Sequence, residues 1–239
     1  MILTVPSWVI PGTYRENLVF LEEKTPVEGV EFLFFFYDDE VKTLLAGEWP
    51  GVLEYRRRFI YTAHLPDRVL PEHGELIERL FPLVRNFIVH PYKPEDAKVQ
   101  ERLLRSWREH EDFGKGLFLL ENTFPGRLEA LLPLLPPDTG LCMDTGHLLL
   151  EGRDPADYFD RYGDRIGEIH LHSLDREKAA RDGRLPDHRP LREGEPWLER
   201  LLPCLETYAG VVNLEVFSWE EAAQSIGVLQ RAGLGPAQK

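Results

Sequence analysis

Cysteine is scarce in this sequence, and its scarcity excludes several kinds of site. Only two cysteines, Cys142 and Cys204, occur among the 239 residues. Cys142 falls inside a predicted strand and Cys204 on a predicted helix, so we expect buried free thiols rather than a disulfide. Neither has a second cysteine nearby in the sequence. A zinc ribbon or zinc knuckle, which needs paired cysteines, is therefore excluded.

Positive charge is also in short supply. The sequence has 28 Lys and Arg residues against 41 Asp and Glu residues, which gives a formal net charge of −13. Non-specific binding to nucleic acid depends on neutralising phosphates with Lys and Arg, so this balance argues against broad nucleic-acid affinity. It leaves open a local basic surface next to a cationic metal cluster.

Long apolar segments are missing as well. The longest uninterrupted stretches, such as Phe32–Tyr37, are far too short to span a bilayer. The N-terminal residues Met1–Pro6 lack the positively charged region of a signal peptide, which favours a cytoplasmic protein. With 43% hydrophobic and 29% charged residues, the composition is that of an ordinary globular protein. We expect a single domain over residues 1–239.

Strand-like and helix-like patterns alternate along the whole chain, and this alternation predicts βα units around a parallel sheet. The predicted strands are Leu3–Val9, Gly29–Phe35, Phe59–His64, Asn86–His90, Leu117–Asn122, Leu141–Asp144, Glu168–His172 and Val211–Val216. The longest helix is predicted at Glu95–Asp112, and a polar loop of about twenty residues follows the seventh strand. Eight strands in a chain of this length predict a single (β/α)₈ TIM barrel.

Imidazole and carboxylate side chains recur where these strands end. They are His64, His90, Glu121, Asp144, His147, His170, His188 and Glu215. The carboxyl ends of the strands meet at one mouth of such a barrel, so residues this far apart in sequence can converge there. Imidazole and carboxylate are the ligands that zinc and manganese take in proteins. The pattern therefore predicts a divalent-metal site at the mouth.

Three more residues are weaker candidates for contacting a substrate. His172 lies two residues after His170 and points to the same side, so one imidazole can ligate a metal while the other contacts the substrate. Arg153 follows the sixth strand and can reach a phosphate, although pairing with a neighbouring acid is an equally good interpretation. Tyr92 follows His90 and either lines the pocket or packs in the core.

Six motifs carry a resemblance that covers nearly the whole chain. They are AHLP, VHPY, LLENTF, CMDTGHLLLEGRDP, IGEIHLHS and DHRPLREGE. These motifs resemble the xylose isomerase-like barrel superfamily, which includes endonuclease IV (the family-2 AP endonucleases) and sugar isomerases and epimerases. The resemblance implies a central four-ligand site made of Glu121, Asp144, His170 and Glu215. It also implies that Glu121 and Glu215 are catalytic, since in epimerases the two glutamates move protons.

The same resemblance bears on the number of metals. Endonuclease IV-like members have histidines matching His64 and His90, which with a bridging Glu121 hold a second zinc. Their third zinc uses an imidazole matching His147 and an Asp-x-His pair. Here Pro186 stands where that aspartate would be, and Asp187 directly precedes His188. Asp187 is thus a candidate substitute, with Asp182 a less plausible one, and Arg192 replaces the first glycine of the Gly-x-Gly that follows.

Three functions are compatible with these residues. The leading hypothesis is a hydrolase with two or three Zn²⁺ ions that acts on a phosphoester, either damaged DNA with an abasic site or a smaller phosphorylated substrate. The alternative is a sugar or sugar-phosphate isomerase or epimerase with a single Mn²⁺, Mg²⁺ or Co²⁺ ion. His64 and His90 speak against this alternative, because a one-metal site has no evident need of them. A non-catalytic metal-binding barrel is the third. The sequence carries no motif that selects a substrate or an oligomeric state.

Overall fold

Eight parallel strands close into a barrel in the computed structural model, which describes residues 1–109, 117–183 and 185–234. Each strand pairs with the next along the chain, and β8 pairs with β1 to complete the ring. The strands are β1 (Ile2–Pro6), β2 (Gly29–Leu33), β3 (Ile60–His64), β4 (Val84–Val89), β5 (Phe118–Glu121), β6 (Leu141–Asp144), β7 (Ile166–His170) and β8 (Val211–Asn213). The predicted (β/α)₈ barrel is confirmed.

Ten α-helices surround the barrel within the described ranges. They are α1 (Tyr14–Leu21), α2 (Asp39–Glu54), α3 (Gly74–Leu80), α4 (Ala97–Arg108), α5 (Arg127–Leu131), α6 (Thr145–Leu150), α7 (Pro155–Tyr162), α8 (Arg176–Asp182), α9 (Pro196–Thr207) and α10 (Trp219–Arg231). Short 3₁₀ helices cover Tyr55–Arg57, Pro71–His73, Pro94–Asp96, Leu132–Leu134 and Gly163–Arg165. In these ranges no helix is both long enough and apolar enough to cross a membrane.

Some of the predicted boundaries need correction. Strand β8 ends at Asn213, and β7 ends at His170, so Glu215 and His172 lie in the loops just beyond their strands. The segment after β7, predicted as a polar loop, contains α8, whose N-terminus is capped by the Asp175 side chain at the backbone N–H of Lys178. Residue 184 of that segment and residues 110–112 of the helix predicted at Glu95–Asp112 lie outside the described residues.

The strands are short and buried on both faces because helices cover their outer side. Alternate residues of each strand point outward and join the large apolar cluster shared with the helices. Inward-pointing residues fill the barrel interior. Ile88, Leu119 and Cys142 form a separate apolar cluster there, while Glu31 and Glu168 introduce buried acids. Both cysteines are free thiols, as predicted, but Cys204 is only partly buried.

Candidate metal centre

The predicted ligands converge where the strands end. His64, Glu121, Asp144 and His170 are the last residues of β3, β5, β6 and β7, and Glu215 lies two residues beyond β8. The ligand atoms of Glu121, Asp144, His170 and Glu215 all lie within 4.8 Å of one another, and all four residues are buried. His170 Nδ1 lies 3.1 Å from both Glu121 Oε1 and Glu215 Oε2. This is the central group implied by the resemblance.

A second group forms around the other oxygen of Glu121. His64 Nε2 lies 3.5 Å and His90 Nε2 lies 2.6 Å from Glu121 Oε2. Glu121 Oε1, in contrast, faces His170 in the central group. Glu121 is therefore placed between two sets of nitrogen ligands, one for each of its carboxylate oxygens.

The outer nitrogens of these two imidazoles are held by acceptors. His64 Nδ1–H donates to the carbonyl oxygen of Leu65 at 2.9 Å, and His90 Nδ1 lies 3.2 Å from Asp67 Oδ1. Acceptors at Nδ1 keep the proton there and leave the Nε2 lone pair free for a cation, as is common for metal-binding histidines. The hydrogen bond from His90 is the largest contribution that lowers the pKa of the Asp67 carboxyl. Asp67 was not among the predicted site residues.

A third group contains His172, His188 and Glu215. His188 Nε2 and His172 Nε2 lie 3.6 and 3.7 Å from Glu215 Oε2, respectively. His188 adopts a left-handed backbone conformation with φ of 52°, which is uncommon for a residue other than glycine. In that conformation its ring stacks on the ring of His172, with 4.4 Å between ring centres.

His172 has a positioning role in this arrangement. The backbone N–H of His188 donates to His172 Nδ1 at 2.9 Å, so the neutral ring carries its proton on Nε2 and donates it to Asp144 Oδ2 at 3.1 Å. Neither nitrogen then has a lone pair for a metal. His172 is fully buried, and both of its ring nitrogens have partners within the protein. Its contact with a substrate stays a prediction. Its hydrogen bonds connect Asp144 to the backbone of His188.

The residues that the resemblance assigns to a third zinc do not all lie close to one another. His147 Nδ1–H donates to the carbonyl oxygen of Asn122 at 3.1 Å, which leaves its Nε2 available, but its ring centre is 6.5 Å from that of His188. In the described part of the chain, His147 joins none of the tight ligand groups. Asp187 Oδ1 lies 3.4 Å from His188 Nδ1 and so sits behind that imidazole. Asp182 is exposed at the end of α8 and belongs to none of the candidate ligand groups in the described part of the chain.

Arg153 and Tyr92, the other two weaker candidates for contacting a substrate, lie next to charged side chains of the protein. Arg153 Nη1 lies 3.3 Å from Glu151 and 3.6 Å from Glu129, so neighbouring acids occupy this guanidinium. Tyr92 is buried, with the guanidinium of Arg68 5.2 Å from its ring centre. Its hydroxyl has no hydrogen-bond partner among the described residues.

Two buried glutamates beneath the mouth were missed by the sequence reasoning. Glu31 Oε1 lies 3.1 Å from His170 Nε2, and Glu31 Oε2 accepts a hydrogen bond from Asn213. Glu168 accepts hydrogen bonds from Thr62 and Asn86, and burial together with the nearby charge of Glu31 raises its pKa to about 8. The sequence signal that could have identified them is a glutamate at the centre of a mostly apolar strand, in GVEFL and in IGEIH.

The mouth has the electrostatics of a cation site. Burial alone would raise the pKa of the Glu121 and Glu215 carboxyls, but the facing imidazoles hold both well below the ordinary value. Burial would lower the pKa of His90, yet Glu121 and Asp67 raise it to about 10. Glu121 Oε2 and Glu215 Oε2 are buried without a hydrogen-bond partner among the described residues. Such oxygens, facing imidazole nitrogens, fit a divalent metal that would replace protons on binding.

Gly146 is required by the packing of His172, and this requirement can be tested. A Cβ at position 146 would lie 2.0 Å from His172 Cε1. We expect Gly146→Ala to displace the buried ring and to lower the free energy of unfolding by about 1–3 kcal/mol in denaturant titrations. Gly47→Ala is the matched helical control, because nothing lies within 4 Å of its added Cβ. Equal stability of the Gly146→Ala variant and the control would contradict this requirement.

Comparison with known families agrees with the fold. The sequence model described as "Xylose isomerase-like TIM barrel" matches residues 124–232, and the closed eight-stranded barrel agrees with it. The chain is a (β/α)₈ barrel that is similar to this family over the matched residues. Over 53 residues it is 42% identical to a protein of Lacticaseibacillus casei named inosose dehydratase. That match spans 22% of this chain and only 18% of the relative's length.

Solved structures share the fold over nearly the whole chain. A probable 3-DHS dehydratase, AsbF, from Bacillus anthracis has a TM-score of 0.70 at 14% identity, covering 96% of this chain and 98% of that one. The IolI protein, solved with a bound zinc atom, has a TM-score of 0.67 at 16% identity, covering 98% and 96%. Endonuclease IV from Thermus thermophilus has a TM-score of 0.61 at 18% identity, covering 97% and 98%. At these identities the likeness shows the fold alone.

Proposed function

We propose that this chain is a metal-dependent enzyme that holds two divalent cations bridged by Glu121 and hydrolyses a phosphoester. The observation that carries the proposal is the position of Glu121. One of its oxygens faces His170, and the other faces His64 and His90. A bridging carboxylate suits a pair of cations about 3.5–4 Å apart, the arrangement used in many phosphoester hydrolases. Zinc fits this mixed set of imidazole and carboxylate ligands best.

Each residue has a separate part in this proposal. Glu121, Asp144, His170 and Glu215 would hold one cation, and Glu121 with His64 and His90 would hold the other. When bound, such cations polarise phosphoryl oxygens and lower the pKa of water. Asp67 and the Leu65 carbonyl keep the two outer imidazoles oriented. His147 presents its free Nε2 toward the same mouth and can contact a substrate phosphate or a further cation.

The substrate we favour is small and phosphorylated rather than DNA. Asp38, Asp39 and Glu40 are exposed after β2, at the same end of the barrel as the metal centre. Together with the net charge of −13, they would repel a polyanionic backbone more than a single phosphate. Cleavage of an oligonucleotide with one abasic site, compared with a simple phosphodiester under the same conditions, tests this choice.

A second candidate, proton transfer on a sugar or polyol, draws more support from the comparisons. The matching Lacticaseibacillus casei protein is named a dehydratase, as is AsbF. Glu121 and Glu215 both lie 3.1 Å from His170 Nδ1, as two carboxylates serving one cation would. With a single Mn²⁺, Mg²⁺ or Co²⁺ to polarise a carbonyl, these carboxylates could move protons at the adjacent carbon. His64 and His90 have no role in that reaction.

Metal content separates the two candidates. We expect protein purified without chelator to carry two or more zinc ions per chain by elemental analysis, and His64→Ala/His90→Ala to lose one equivalent together with phosphodiesterase activity. His73→Ala is the control, since His73 belongs to none of the candidate ligand groups among the described residues and its Nδ1 accepts from the Leu70 N–H. One metal per chain, unchanged in the double variant, would support proton transfer instead.

A further inference from the structure

A cavity of about 370 Å³ lies between the loops that follow β7 and β8, next to the metal centre. Its walls include Leu185, Asp187, His188, Arg189 and Phe217. This volume is within the range of small-molecule sites. A larger cavity of about 620 Å³ lies among residues that precede β7 and β8, at the opposite end of the barrel from the predicted ligands. Of these two cavities, only the smaller is lined by a residue of the candidate ligand groups, His188.

Apolar side chains are exposed at this cavity. Leu185 is 72% exposed and Phe217 is 40% exposed. They belong to a wider pattern, because Trp8, Phe36 and Phe124 are also exposed and also follow the carboxyl ends of strands. An acidic, histidine-rich mouth that acted only on a small hydrophilic molecule would gain nothing from such residues. Exposed apolar groups around a polar site instead indicate a ligand with apolar surface.

The imidazole of His188 lies between the cavity and the candidate metal centre. The ring of Phe217 lies 5.0 Å from that of His188, centre to centre, at an angle of 32°. His188 Nε2 in turn lies 3.6 Å from Glu215 Oε2. A planar group between Leu185 and Phe217 would therefore lie one imidazole away from a phosphoester at the centre.

One buried polar atom at the same cavity points to a ligand independently of its apolar walls. Arg189 is 4% exposed, and its Nε has no hydrogen-bond partner among the described residues. Asp187 Oδ1, in contrast, lies 3.4 Å from His188 Nδ1. A buried donor is costly to leave unsatisfied, so Arg189 Nε fits a ligand with an acceptor at its edge.

We propose that this cavity is a specificity subsite for a planar aromatic ring of the substrate, with Leu185 and Phe217 against its faces and Arg189 at its polar edge. The inference rests on the proposed hydrolysis, because it places the ring beside the reacting phosphoester. It narrows the substrate class to phosphoesters that carry an aryl or nitrogen-heterocyclic group.

Binding of two phosphonates to the zinc-loaded protein tests the subsite directly. Calorimetry should show phenylphosphonate binding about tenfold more tightly than methylphosphonate, because only the phenyl ring buries apolar surface. Leu185→Ala and Phe217→Ala should each reduce this preference to about threefold or less. Phe124→Ala is the matched control: Phe124 is 65% exposed at the same end of the barrel but does not line the cavity. Zinc content is measured in every variant, because Phe217 contacts the ring of His188.

A second pair of ligands tests the polar edge. A 3-carbamoyl group adds an acceptor to phenylphosphonate, and we expect it to tighten binding by a further factor of about five to ten. Arg189→Lys removes Nε and should remove most of that gain while leaving the preference for phenyl over methyl intact. An equal affinity of the carbamoyl and unsubstituted ligands would contradict the assignment of the edge.

Turnover separates failure of this inference from failure of the proposed function. Methyl trifluoroethyl phosphate and benzyl trifluoroethyl phosphate share the trifluoroethoxide leaving group, and only the second carries an aromatic ring. Equal kcat/KM for the two, with equal binding of the phosphonates, would overturn the subsite and leave hydrolysis standing. No turnover of either, with a phenyl preference that depends on Leu185 and Phe217, would overturn hydrolysis and leave the ring-binding cavity standing.

Discussion

Glu121→Gln is expected to release bound metal from both candidate positions and to reduce kcat/KM by roughly 10³-fold or more. The two carboxylate oxygens face different nitrogen groups, and among the described residues Glu121 alone belongs to both proposed positions. The variant removes one negative charge from a buried set of imidazoles and carboxylates. Loss of the several kcal/mol that metal ions contribute to stabilising a transition state corresponds to a rate loss of this size.

Elemental analysis and activity, measured on the same preparation, check this expectation. Glu168→Gln is the matched control, because Glu168 is equally buried in the barrel and accepts hydrogen bonds from Thr62 and Asn86. With a pKa of about 8, Glu168 is largely protonated at neutral pH, so the amide is a close replacement. Full metal content in Glu121→Gln would show that Glu121 does not bridge. Loss of metal from both variants would indicate a general effect on the fold.

Much of the metal centre was predictable because strand ends are predictable. A residue that follows a short apolar run in a (β/α)₈ chain lies at the mouth, whatever its neighbours are. The structure therefore brings Glu121, Asp144, His170 and Glu215 together where the sequence placed them. The pattern also placed His64 and His90 next to each other, although no motif states which oxygen of Glu121 they would face.

The parts that sequence reasoning missed depend on distances across the barrel. Glu31 and His170 belong to strands on different sides of the ring, 139 residues apart in sequence, and only the closed barrel brings them to hydrogen-bonding distance. His172 acquires its role from the backbone N–H of His188, which a left-handed residue places over the ring. Asp67 falls in a loop whose path no local pattern specifies. These contacts depend on the tertiary structure rather than on any residue pattern.

The choice of reaction was also beyond the sequence, for a related reason. The same four central ligands suit both hydrolysis and proton transfer. The features that distinguish the two reactions are the second ligand group, with His64 and His90, and the loops around the mouth. The Lacticaseibacillus casei match supports proton transfer, but it covers only 53 residues. The geometry around His64 and His90 supports a second cation. Hydrolysis and proton transfer predict different numbers of metal ions per chain, so metal content is the first measurement to make.

Glu31→Ala is expected to weaken zinc binding by about 10- to 100-fold, although Glu31 is not one of the four central ligands. Its Oε1 lies 3.1 Å from His170 Nε2 and accepts a hydrogen bond from it, which directs His170 Nδ1 toward Glu121 and Glu215. A carboxylate behind a metal-binding imidazole fixes the ring and raises its basicity, and removal of such groups has effects of this size. The variant should also be less stable by about 1–3 kcal/mol, because Asn213 loses its buried acceptor.

Glu31→Gln separates the charge of Glu31 from its hydrogen bond. The amide keeps an oxygen that can accept from His170 Nε2, so we expect zinc affinity to fall by about tenfold or less. Affinity is measured by competition with a chromogenic chelator, and the free energy of unfolding of the metal-free variants is measured separately. If Glu31→Ala loses stability but keeps wild-type zinc affinity, Glu31 supports the barrel interior only. If affinity falls in Glu31→Ala and recovers in Glu31→Gln, the hydrogen bond to His170 orients the metal ligand.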